Sequence, residues 1–209
     1  MKHVFQFSHI VFTALLFLFC SSQAHAVGLG FSTGIGYEQW EDSSEVDYSG
    51  DRQVVNGGFV LDTHVRRNKL FGYRFTFMRE KNKGGKIDML GWATTHDFTF
   101  GLIRTNTMRL WVGPELKTSF YNKLTLNTDE AVEFDKGAGD VWGFEIGPAV
   151  GLNIHLPETV SFTFTAAVLG GNFNGDTDYV TSTGKQYGDL HVGSSGLYLT
   201  AGIILRINE

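Results

Sequence analysis

From Val27 onward the sequence alternates with period two, the spacing that sends successive side chains to opposite faces of a β-strand. In the first run Val27, Leu29, Phe31, Thr33, Ile35 and Tyr37 share one face, and Gly28, Gly30, Ser32, Gly34, Gly36 and Glu38 share the other. The division recurs seven more times. Val55, Phe59, Leu61 and Val65 oppose Asn56, Gly58, Asp62 and His64, and Phe71, Tyr73, Phe75 and Phe77 oppose Gly72, Arg74, Thr76 and Met78. Phe98, Phe100 and Leu102 stand against Asp97, Thr99 and Gly101, and Leu110, Val112, Leu116 and Phe120 against Glu115, Lys117 and Ser119. Trp142 to Ile154 alternate with Gly143, Glu145, Gly147, Gly151 and Asn153, and Val160 to Val168 with Ser161, Thr163 and Thr165. The last run sets Leu197, Leu199, Ala201, Ile203, Leu205 and Ile207 against Tyr198, Thr200, Gly202 and Arg206. Eight amphipathic strands are therefore expected.

Which face lies inside follows from the residue types. A sheet surface in water carries many Lys and Glu, whereas the polar face here is Gly, Ser and Thr with single charges. Small residues suit the interior of an eight-stranded barrel, which is only wide enough for side chains to fill. The Phe, Leu and Ile face then meets lipid, where a mid-depth charge would cost about 2–4 kcal/mol. A lipocalin-like barrel with the greasy face buried is the soluble alternative.

The N-terminus reads as an export leader. Lys2 and His3 precede an apolar core from Ile10 to Cys20, and Ala24 and Ala26 form an A-x-A cleavage site. Residues 1–26 are thus expected to be a signal peptide and 27–209 the barrel domain. Cys20, the only cysteine, lies in the leader, so the barrel holds no disulfide. The formal charge of −5 argues against a nucleic-acid partner, which needs a basic stripe to displace counterions.

Connections give a separate test, because membrane barrels have short turns on one side and long loops on the other. Arg66–Leu70, Thr105–Met108 and His155–Thr159 are brief; Glu41–Arg52, Asn122–Gly139 and Gly171–Asp189 are long, and Glu80–Lys86 is intermediate. They alternate, as an antiparallel up-and-down barrel requires.

On these features the stretch from Val27 to Glu209 resembles the small eight-stranded outer-membrane barrels of the OmpA, OmpX and Opa type. The resemblance implies a Gram-negative cell outer membrane, contact with its lipid and lipopolysaccharide, and insertion by the barrel-assembly machinery. Such barrels usually end on an aromatic residue, and this chain departs from that in ending Leu205 to Glu209.

The inward charges Glu38, Asp62, Arg74, Asp97, Glu115, Lys117, Glu145 and Arg206 include both signs. A paired structural network is the expectation, since an unpaired charge in a low-dielectric interior is costly; a charge-lined ion path is the alternative. The four histidines beyond the leader, His64, His96, His155 and His191, lack metal-ligand spacing. Thr94 and His96 share a face, loosely like a lipid-modifying outer-membrane enzyme, but no serine stands beside them. No cofactor and no enzymatic activity are expected.

The long loops are acidic, with Glu41, Asp42, Glu45, Asp47 and Asp51 in the first, Asp129, Glu130, Glu133 and Asp135 in the third, and Asp176, Asp178 and Asp189 in the fourth. They read as solvated turns, with divalent-ion bridging or an extracellular partner as the functional alternative. Tyr37, Phe71, Tyr73, Trp92, Phe120, Tyr121 and Trp142 are expected as interfacial girdles. The expected role is a barrel displaying loops for surface interaction, adhesion or envelope structure; a narrow pore for ions or small solutes is the alternative.

Overall fold

The computed structural model describes residues 27–42, 48–63, 70–85, 87–126, 133–134, 140–156, 159–176, 179–181, 184–186 and 189–207. Eight long strands close into one antiparallel barrel: β1 (Val27–Asp42), β2 (Gly50–Asp62), β3 (Phe71–Gly84), β4 (Ile87–Arg104), β5 (Met108–Leu126), β7 (Val141–His155), β8 (Val160–Asp176) and β11 (Asp189–Ile207). Each pairs with its sequence neighbours among the eight, and β1 pairs with β11 to close the ring, Val27 opposite Ile207 and Tyr37 opposite Leu197. Three short segments, β6 (Glu133–Phe134), β9 (Tyr179–Thr181) and β10 (Gly184–Gln186), form a separate small sheet that links the third and fourth long connections. Closure leaves the barrel without an unpaired edge, which a spanning sheet needs in lipid.

The greasy face points outward. Phe31, Ile35, Phe59, Phe71, Val168 and Leu205 are all more than half exposed, while their sequence neighbours turn inward. On β11 the outward apolar run extends from Leu197 to Ile207. At ~3.3 Å per residue and a strand tilt of about 40°, that run is about 25 Å tall, the height of a lipid-facing band. The barrel is thus of the transmembrane kind, not a water-coated shell around packed phenylalanines.

The strands outrun the expected boundaries at the loop end, where the long connections lie. β3 continues to Gly84 and β4 begins at Ile87, so of the connection expected at Glu80–Lys86 the residues Glu80–Gly84 are strand. Gly84 and Gly85 have φ of 139° and 57°, values an L side chain rarely adopts. Likewise β5 runs to Leu126, β8 to Asp176, and β11 starts at Asp189, which shortens the connections expected at Asn122–Gly139 and Gly171–Asp189.

In these extensions the two faces exchange character. Outward positions become polar, with Gln39 and Glu41 on β1, Asn172 on β8 and His191 on β11 exposed. Inward positions become apolar: Trp40, Tyr48, Ile87, Met89, Tyr121, Val141, Phe173, Leu190 and Val192 form one buried cluster. Trp40 stacks on Phe173 at 4.9 Å between ring centroids. Above the lipid-facing band the barrel is therefore built like a soluble one, greasy inside and polar outside. An interior of glycine and lone ions, expected from the lower strands, holds only for part of the height.

Candidate functional site

The lumen is built from the inward side chains of all eight strands, and the structure places Glu38, Asp62, Arg74, Asp97, Glu115, Lys117, Glu145 and Arg206 there, each buried. They fall into separate groups. Nearer the loop end, Lys117 Nζ lies 3.5 Å from Glu38, 3.2 Å from Glu80 and 3.2 Å from Glu145. One cation thus serves three carboxylates from three other strands, and it also sits 4.2 Å above the Tyr198 ring.

Neutral donors complete this group. The Tyr198 hydroxyl donates to Glu38 and, at 2.9 Å, to Glu145. Glu80 accepts from the Tyr121 hydroxyl at 2.5 Å and from Ser119 at 3.2 Å. Glu38 accepts from Asn82 Nδ2 at 2.8 Å and from Trp40 Nε1 at 2.9 Å. Three buried carboxylates around a single ammonium would repel one another, and each hydroxyl, amide or indole donor offsets part of that repulsion.

Arg52 roofs the group. Its guanidinium lies 4.1 Å over the Trp40 ring and donates to Asn82 at 2.5 Å and to the Gly84 carbonyl at 2.8 Å. It therefore ties the charged layer to the apolar cluster above it.

A second group lies nearer the short turns. Arg74 pairs with Asp62 at 2.8 Å and donates to Asn153 at 2.9 Å and Thr165 at 3.3 Å, so one guanidinium spans the lumen from β3 to β7 and β8. Asp97 and Glu115 are register partners on β4 and β5. Between the two groups is a cavity of about 30 Å³ bordered by Asp97, Glu115, Lys117 and Tyr198. Arg206 stands apart and donates to the Leu156 carbonyl at 2.8 Å at the turn end.

Sequence reading missed Glu80, Arg52 and Arg109, all buried in the lumen. Carrying the alternation of β3 two residues beyond Met78 would have found Glu80; Arg52 was hidden because it was assigned to a loop. Tyr121 belongs to this interior and not to a girdle. Tyr37, Phe71, Trp92, Phe120 and Trp142 do face outward and are exposed.

Tyr73 shares the outer face but is buried, its hydroxyl 2.7 Å from His96 Nδ1. Thr94 is bonded to Thr118 at 2.7 Å. The two residues considered for lipid chemistry thus have different partners, and the polar groups of this wall satisfy one another, as lipid exposure demands. His64, Glu45, Asp47, Asp129, Glu130, Asp135 and Asp178 lie outside the described residues.

No family model matches the chain, and no curated protein does. Among solved structures it is similar to neisserial surface protein A, with 14% identity over 86% of this chain and 97% of that one and a TM-score of 0.42. It is also similar to Ail, the attachment invasion locus protein of Yersinia pestis, with 11% identity, coverage of 86% and 98%, and a TM-score of 0.35. The outer membrane protease OmpT of Escherichia coli overlaps more loosely, at 8% identity and a TM-score of 0.26 over 87% and 96% of the two chains. The architecture rests on the chain's own geometry: eight up-and-down strands closed into a ring, an apolar exterior and a charged interior make it a small eight-stranded β-barrel of the transmembrane kind.

Proposed function

We propose that this chain is a non-enzymatic outer-membrane barrel with a closed lumen, and that its working surface is the loop end, displayed for surface interaction, adhesion or envelope structure. The observation that carries this reading is the stacking of two obstructions across the lumen. Lys117 and its three carboxylates cross it at one level, and the Trp40–Phe173 cluster fills it above. A conducting path needs continuous polar space. On the other side of the Lys117 layer, toward Arg74, the lumen narrows to a cavity of about 30 Å³.

The loop end has the build of a display platform. The strand extensions and the small β6–β9–β10 sheet link its connections, and the apolar cluster gives this end a core of its own. Binding loops held by a rigid scaffold are the usual place for recognition.

Planar-bilayer recording of the purified, folded protein tests the reading. Silence is the expected result, with folding verified by separate migration of heated and unheated samples on a gel. Discrete conductance steps in the unaltered protein would overturn the closed lumen and establish the narrow pore instead.

A further inference from the structure

On the outer wall at the loop end four cations gather on one side of the barrel. Arg79, Lys81 and Lys83 occupy alternate positions of β3, so all three point outward with Phe77. The register shift between Leu90 and Gly91 brings Lys123 of β5 opposite Leu90, which on its other side faces Lys81. Lys81, Leu90 and Lys123 therefore form one rung, and Arg79, Trp92 and Phe120 the rung nearer the membrane centre.

None of the four is in an ion pair among the described residues, in a chain whose formal charge is −5. Of the nearby outward carboxylates, Asp88 is engaged elsewhere, accepting from the Gly84 N–H at 3.3 Å. At the opposite wall the outward residues beyond the apolar band include Gln39, Glu41, Asn172, Asp189, His191 and Ser195, none of them a lysine or arginine.

The patch adjoins the lipid-facing aromatics. The Arg79 guanidinium lies 4.8 Å over the Trp92 ring, and Trp92 stacks on Phe77 at 5.0 Å with 6° between the planes. A ligand that meets both the exposed Phe77, Trp92 and Phe120 and the three lysines above them must carry hydrocarbon next to negative charge. Phosphate groups on a membrane lipid meet that description, and lysine and arginine side chains at a membrane surface attract them.

We propose that the outward face of β3, β4 and β5 at the loop end is a binding site for the phosphate groups of an outer-leaflet lipid, held by Lys81, Lys83 and Lys123 with Arg79 fixed beneath them on Trp92. The choice of leaflet rests on the outward orientation of the loop end in the function proposed above. The site is independent of whether the lumen conducts.

Native mass spectrometry of the full chain in neutral detergent, with bis-phosphorylated lipid A as the probe, tests this. The unaltered protein is expected to retain the lipid, and a Lys81→Gln, Lys83→Gln, Lys123→Gln variant to bind it at least tenfold more weakly. A variant carrying arginine at the same three positions should bind as the unaltered protein does. All three lysines are exposed, so heat-shifted gel migration should be unchanged. Equal retention by the glutamine variant, or equal binding of lipid A stripped of phosphate, would overturn the proposal. So would full displacement by millimolar inorganic phosphate, which would make free phosphate the ligand.

Discussion

The Trp111 indole lies flat against Gly151, its register partner on β7, so closely that a Cβ built on Gly151 would fall 2.2 Å from the ring. Phe173 bears the same relation to Gly143, at 2.1 Å, and Tyr198 to Gly36, at 2.5 Å. These three inward glycines are thus seats for large rings on adjacent strands. An eight-stranded interior admits a tryptophan only where a neighbouring strand gives up its side chain.

Replacing Gly151 with valine should therefore force the indole from its place, where Arg74 covers it at 5.4 Å. Overpacking of this sort costs about 1–3 kcal/mol. Urea unfolding in lipid vesicles would measure the loss. Gly151→Val combined with Trp111→Ala should recover part of it, because the second change empties the contested space; simple additivity would show that the two residues do not share that space.

Most of the barrel was legible because period-two alternation depends only on which face meets lipid. Phe31, Ile35, Phe59 and Leu199 could be placed outward without knowing any partner. What could not be read was the level at which the faces exchange roles. Trp40 and Phe173 follow the parity of the polar face, yet they are as apolar as the lipid-facing residues, so alternation of residue type fades where alternation of direction continues. The strands therefore seemed to end at the membrane. Glu80 and Arg52 fell into apparent loops for that reason, and the grouping of carboxylates around Lys117 could not be derived, since it joins four strands whose stagger no single strand specifies.

Lys117→Met should be among the most damaging single changes in the lumen. It keeps most of the side-chain volume but leaves Glu38, Glu80 and Glu145 facing one another without their shared cation. Removing one partner from a buried ionic group typically costs about 3–5 kcal/mol. Adding Glu38→Gln and Glu80→Gln to Lys117→Met should restore much of that stability, measured by the same unfolding experiment. If Lys117→Met alone leaves the midpoint unchanged, the ammonium is not what holds these carboxylates together.

The exchange of faces locates the upper edge of the hydrocarbon, and arginine scanning along β1 can find it. Phe31 is 64% exposed and lies mid-way along the outward apolar run of β1, paired with Ile203 and Phe59. Phe31→Arg should cost about 2–4 kcal/mol, as a charge at the bilayer midplane does. Gln39 is also outward and exposed but lies beyond Tyr37, where Trp40 and Glu38 on either side are buried. Gln39→Arg should change stability by less than about 0.5 kcal/mol, since that position is already in water. Tyr37→Arg should fall between them, near the interface, where such charges cost about 0–1 kcal/mol. Measured in vesicles, the three values should decrease in that order toward the loop end only if the barrel leaves the hydrocarbon between Tyr37 and Gln39. A cost for Gln39→Arg as large as that for Phe31→Arg would place the Trp40 cluster inside the bilayer and remove the distinction between a lipid-facing lower barrel and a water-facing upper one.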